Sequence, residues 1–130
     1  MIAVDTNILV RLIVNDDEAQ VAAVRRLMQR EAVLVTSTVV LETEWVLRSV
    51  YNIAADQILS GLTRIFGLEN VATDNPVVIV KALAAYAKGM DLADAMHLAQ
   101  SSGAGGFATF DKSLLRTAKR IGGFVPVMAP

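Results

Sequence analysis

The sequence predicts an α/β fold, a three-layer α/β/α sandwich with a parallel central sheet. Three observations predict it. Short strand-like apolar runs alternate with helical patterns along the chain, which implies parallel strands joined by right-handed crossovers. At 130 residues the chain has the size of one domain, expected to span 1–130. Hydrophobic residues make up 54% and aromatics only 5%, so the core is built from Val, Leu, Ile and Ala, as suits helices packed on a buried sheet.

The elements follow in order. Met1 to Asp5 is an apolar run ending in a charge; it reads as a buried strand running through Thr6 and Asn7 into a helix. A second helix is expected over Asp17–Arg30, with acids in its first turn, apolar residues at Val21, Val24, Leu27 and Met28, and arginines toward its end. Val33–Val35 is a strand, and Thr36, Ser37 and Thr38 offer caps for a helix over Val39–Val50. A helix over Ala55–Phe66 and a short edge strand at Val71–Thr73 come next. Asp74 or Asn75 then caps a helix that has Pro76 at its first position and is ended by Gly89. Asp91 opens a helix to about Ser101, Gly103–Gly106 turns into a strand at Phe107–Phe110, and an amphipathic helix over Ser113–Ile121 leads through two glycines to a strand at Phe124–Val127. There is no internal repeat and no interdomain linker.

Composition excludes several classes of function. With no cysteine there is no disulfide framework and no thiolate metal site, so any metal must sit on oxygen. Charges interrupt every long apolar run, as Lys81 does between Pro76 and Ala87, which leaves no stretch of the roughly 18 residues that a membrane span needs. The opening residues lack the basic segment of a signal peptide, so a cytoplasmic protein is expected. The formal charge is −1. If Asp5, Glu42, Asp91, Asp94 and Asp111 share one cleft, eight acids face 12 Lys and Arg elsewhere, and that remaining surface is net +4. Such a surface is compatible with phosphate contacts.

Those five acids are the candidate chemistry. Asp5 and Asp111 close predicted strands just before helices, the place where open parallel sheets bind ligands. Asp91 and Asp94 lie three apart at a helix start and share a face. Glu42 is one turn inside the helix after the second strand. Clustered carboxylates repel one another unless a cation neutralises them, and hard divalent ions such as Mg2+ or Mn2+ take oxygen ligands. An ion of this kind activates water and stabilises the charge that develops on a phosphodiester during in-line displacement. Hydrolysis of a nucleic-acid backbone is the expected reaction, with Thr109 and either Thr6 or Asn7 as neutral oxygens that orient water or phosphate.

The segments Met-Ile-Ala-Val-Asp-Thr-Asn, Val-Val-Leu-Glu-Thr-Glu-Trp-Val-Leu around Glu42, Asp-Leu-Ala-Asp-Ala from Asp91 and Ala-Thr-Phe-Asp ending at Asp111 occur in order over essentially the whole chain. In these segments the sequence resembles the PIN-domain ribonucleases, and among them the VapC-type toxins of toxin-antitoxin pairs. The resemblance implies catalytic, metal-binding acids at Asp5, Glu42, Asp94 and Asp111, with Asp91 as an accessory acid. It also implies an RNA substrate, a homodimer built on the helices near Glu42, and a small antitoxin that plugs the acidic cleft with a basic side chain.

Plainer readings stand beside these. Asp5, Asp91 and Asp111 occupy helix N-cap positions. Glu42 is expected on a largely buried helix, Glu44 in solvent and Trp45 in the core or at a dimer contact. His97, the single histidine, reads as a packed or capping side chain. Arg11 and Arg48 read as surface charges that are also placed for RNA phosphates. A haloacid-dehalogenase-type phosphatase also opens on a strand ending in Asp-Thr, but it needs a second Asp where this chain has Asn7. A non-catalytic RNA-binding module would be expected to lose acids that this chain keeps.

Overall fold

In a computed structural model that describes residues 1–130, β1 (Ile2–Ala3) pairs with β2 (Val33–Val35), and β2 pairs with β3 (Val71–Thr73), each time in parallel. A second, two-stranded parallel pairing joins β4 (Phe107–Ala108) to β5 (Val127–Met128). Every strand pairing is parallel, as expected for α/β/α architecture. The backbone falls into two compact units, Met1–Pro76 and Val77–Pro130.

The first unit threads the three-stranded sheet through four helices: α1 (Thr6–Val14), α2 (Glu18–Arg30), α3 (Ser37–Ser49) and α4 (Ala55–Phe66). Helix α1 packs against α2 and α3, α3 against α4, and α4 against β3. The Val33 and Val35 side chains on one face of β2, together with Leu9, Val40, Leu47, Ile58 and Leu62, are buried. Aliphatic residues at helical spacing opposite a β-branched strand produce this core. Helix α3 begins two residues before the expected Val39 and draws no side-chain cap from Thr36. Its first turn is tied instead by Asp74, whose Oδ1 accepts from both the Ser37 N–H (2.9 Å) and the Ser37 hydroxyl (2.8 Å).

The second unit holds α5 (Pro76–Ala87), α6 (Leu92–Gln100) and α7 (Lys112–Ile121) with the β4–β5 pair. Gly89 ends the α5 segment at φ 98°, as expected of a helix C-terminal glycine. The last strand is Val127–Met128, later and shorter than the expected Phe124–Val127. Gly122 and Gly123 both adopt positive φ and carry the chain away from α7. The Phe107 N–H reaches the Pro126 carbonyl (2.8 Å) and the Thr109 N–H reaches the Met128 carbonyl (2.9 Å), so pairing is set around Val127.

Candidate functional site

Two of the five acids belong to the first unit. Asp5 follows β1 and is the N-cap of α1: its backbone is extended and its Oδ1 accepts from the Thr6 N–H at 2.7 Å. Thr6 itself is buried, and its hydroxyl donates to Glu42 Oε1 at 2.5 Å. This contact links α1 to α3 and fixes the Glu42 carboxylate from one side. Glu42 is exposed rather than buried, and its neighbour Glu44 is the buried acid, 3% exposed. Both expectations are thus inverted. The buried stripe of α3 is Val40, Thr43, Glu44 and Leu47, a helical i, i+3, i+4, i+7 pattern that puts Glu42 on the opposite face. Arg48 Nε donates to Glu44 Oε1 at 2.7 Å, which compensates the buried charge.

The other three acids belong to the second unit. Asp91 caps α6, accepting from the Asp94 N–H at 3.0 Å. Asp111 follows β4 and caps α7, its Oδ1 accepting from Ser113 N–H (2.9 Å) and Leu114 N–H (3.1 Å). Asp94 makes no hydrogen bond through its carboxylate. Partial burial first, then the nearby charges of Asp91 and Asp111, push its carboxyl above the usual carboxylate range, and His97 offsets this only in part. Asp91 and Asp111 are thus both close enough for their charges to act on Asp94.

All three caps engage Oδ1 alone, and Glu42 engages Oε1 alone. The capping and ligand readings are therefore compatible, because each acid keeps a carboxylate oxygen for a cation. The donor set is carboxylate oxygen throughout, which fits a hard divalent ion. The structure gathers no group of three or more His, Asp or Glu side chains in an arrangement that could hold a metal; Asp5 and Glu42 lie in the first unit and Asp91, Asp94 and Asp111 in the second. Two surface hollows of the first unit, of about 500 and 580 Å³, are lined by residues such as Glu18 and Arg25 or Ile13 and Arg64 and contain none of the five acids. The candidate site rests on carboxylate chemistry, not on concavity.

The family model of the PIN domain matches residues 2–120. The chain belongs to the PIN-domain family. Among curated proteins none matches the chain. PIN domains have a nuclease-type fold, commonly that of metal-dependent ribonucleases acting on RNA, and the match runs through all five acids. No helix of this PIN domain is long and apolar enough to cross a membrane.

Within the PIN domain the secondary candidates sort by their partners. Thr6 is a positioning residue for Glu42, a role that residue type alone did not reveal. The Thr109 hydroxyl accepts from the Asp111 N–H at 3.0 Å and shapes the turn that presents Asp111. Asn7 is exposed on α1. His97 is exposed and is felt by Asp94 electrostatically. Arg11 is engaged by Asp16 and by the Tyr51 hydroxyl; chiefly through Tyr51, its pKa is held above the usual arginine value. Arg48 serves Glu44. Both arginines thus have structural work. Trp45, expected in the core or at a dimer contact, is 55% exposed.

Proposed function

We propose that this PIN domain is a magnesium-dependent endoribonuclease and works as the toxin of a toxin-antitoxin pair, with residues 1–130 acting as one domain. Its metal ligands and catalytic acids are Asp5, Glu42, Asp94 and Asp111, with Asp91 as accessory ligand, and Mn2+ substitutes for Mg2+. The observation that carries the reading is the set of five carboxylates, each with a free oxygen, within a PIN match that covers residues 2–120. When bound, a divalent ion supplies an activated water and stabilises charge on the scissile phosphodiester.

The chain's own residues prepare for that reaction. Helix caps fix Asp5, Asp91 and Asp111 where backbone N–H groups hold one carboxylate oxygen. Thr6 holds Glu42. Asp94 lacks such support, and a bound cation would offset the charges of Asp91 and Asp111 that, after burial, push its carboxyl up. The homodimer and the basic side chain of a small antitoxin follow from the resemblance, and the exposed Trp45 on α3 supports a contact near Glu42. The cytoplasmic assignment agrees with an RNA substrate.

The experiment is cleavage of end-labelled structured RNA with magnesium, with manganese and with chelator, beside an Asp94→Asn variant. Metal-dependent cleavage that the variant loses is the expected result. Cleavage that persists in chelator, or that survives the substitution, overturns the reading. Light scattering at twice the monomer mass is expected for the dimer; a monomer mass rejects it.

A further inference from the structure

Helix α7 carries Lys112, Arg116, Lys119 and Arg120 and no acid. At about 100° per residue these four cations fall within an arc of about 100°, on a face about 12 Å long. All four are exposed, and Leu114 and Ala118 are buried on the other side of the helix. Lys112, Arg116 and Lys119 form no ion pair and no hydrogen bond, whereas Arg120 donates to the Lys88 carbonyl at 2.9 Å. Lys119 and Arg120 lie in the last turn, where the macrodipole favours cations, but the rest of the arrangement works against the helix. Lys112 sits in the first turn, where the macrodipole disfavours a cation. Lys112 with Arg116, and Arg116 with Arg120, are like-charged pairs at i, i+4, which destabilise a helix. A purely structural surface would intersperse acids; this one does not.

Two residues before the first of these cations stands Phe110. It is 86% exposed, the highest exposure among the large hydrophobic side chains, and it immediately precedes Asp111. Its backbone is not loose. The Asp111 N–H is held by the Thr109 hydroxyl, and the Asp111 carboxylate is held by two N–H groups of α7. An aromatic ring presented on a fixed turn, next to unneutralised cations in a row, combines the two elements that single-stranded nucleic acid requires: a π face for a base and positive charge along the backbone.

We infer that the exposed face of α7 is a track for single-stranded RNA, in which Phe110 stacks on a base beside Asp111 and Lys112, Arg116 and Lys119 contact successive backbone phosphates. This rests on the ribonuclease reading and deepens it: the substrate reaches Asp111 as an unpaired strand, held by backbone charge and one stacked base and not by sequence readout.

The test is binding of a fluorescently labelled single-stranded oligoribonucleotide to the full chain in chelator, where no metal-dependent cleavage occurs, over a range of salt. Each lost phosphate contact on a single strand lowers the salt slope by about 0.7, so Arg116→Gln with Lys119→Gln is expected to lower it by about 1.4. Phe110→Ala is expected to weaken binding about 5- to 150-fold with the slope unchanged, and Phe110→Trp is expected to restore it. Because the substituted side chains are exposed, thermal unfolding does not fall below the wild-type value, and loss of the Arg116 charge, which relieves two like-charged pairs, can only raise it. The inference is overturned if the unaltered chain does not bind, if the double variant keeps its slope, or if Phe110→Ala is neutral. It is equally overturned if polyglutamate binds as tightly as RNA with no contribution from Phe110, which would assign the face to an acidic protein partner. Wild-type cleavage with unchanged binding in all variants rejects the track and leaves the nuclease reading standing; the predicted binding pattern without any metal-dependent cleavage does the reverse.

Discussion

The unit Met1–Pro76 and the unit Val77–Pro130 treat charge in opposite ways. In the first, charged side chains close structural contacts: Arg11 serves Asp16 and Tyr51, Arg48 serves Glu44, and Asp74 ties the start of α3 to the end of β3. In the second, like charges are placed side by side. The charges of Asp91 and Asp111 push the Asp94 carboxyl up, and Lys112, Arg116 and Lys119 of α7 stand in a row without an ion-pair partner. Charges that neutralise each other stabilise a fold. Charges that repel each other suit a ligand of opposite sign, which on the proposed reading is a cation for the acids and a polyanion for the helix.

If the contrast is right, loss of the unsupported carboxylate Asp94 in the second unit changes activity, whereas loss of the paired charges Arg48 and Asp74 in the first changes stability. The largest effect is expected from Asp94→Asn, which should lower RNA cleavage about 10²–10³-fold, the size of losing one preorganised electrostatic contact. Thermal unfolding of the same variant should not fall. The sign follows from linkage. A carboxyl raised above the usual 3.8 binds more protons folded than unfolded, so stability declines as pH rises through the window above 3.8. The amide removes that decline, and a variant that unfolds at lower temperature than wild type at neutral pH breaks the comparison.

Next in size is Arg48→Ala, which strands the buried Glu44 carboxylate and should cost about 2–3 kcal/mol in denaturant unfolding. Catalysis by the folded fraction should be unchanged. Asp74→Ala should cost about 1–2 kcal/mol by releasing both Ser37 contacts. Burial raises the Asp74 carboxyl, but the hydrogen bonds from Ser37 and Thr73 outweigh it and hold the group below 3.8. Its contribution is therefore present above pH 3.8 and is lost as pH falls through the folded value. A pH titration of unfolding in which wild type and Asp74→Ala run parallel through the acid range would refute this. The smallest effect is a gain. The Thr43 hydroxyl is buried without a partner, so Thr43→Val should stabilise by about 1 kcal/mol, read as a higher midpoint with no change in denaturant slope.

Much of the fold was legible because its signals are local. The expected bounds of α4 are those observed, Asp5 and Asp111 stand where a strand-to-helix turn calls for an acid, and Asp91 caps a helix that follows another helix. What failed was the orientation of α3. Apolar residues flank both Glu42 and Glu44, and two residues are about 200° apart on a helix, so a small error in phase exchanges the buried acid for the exposed one. The tertiary packing of α3 against α1 and α4 decides the phase, and the i, i+4 Arg48 is the signal that would have marked Glu44. The tie between Ser37 and Asp74 spans 37 residues, beyond the reach of any local pattern. The cap positions of Asp5, Asp91 and Asp111 were legible in the sequence, whereas the hydroxyl that holds Glu42 depends on how α1 meets α3.

The double duty of the capping aspartates has a consequence for mutational history. Asparagine caps a helix about as well as aspartate, so Asp→Asn at position 5, 91 or 111 keeps the side-chain oxygen that the backbone uses and discards only the charge. In the genetic code that exchange is a single G-to-A transition. A damaging cellular activity built on such residues can be silenced in one step while the polypeptide still folds, accumulates and occupies its partners, and an inactive copy of this kind would act as a decoy instead of being cleared.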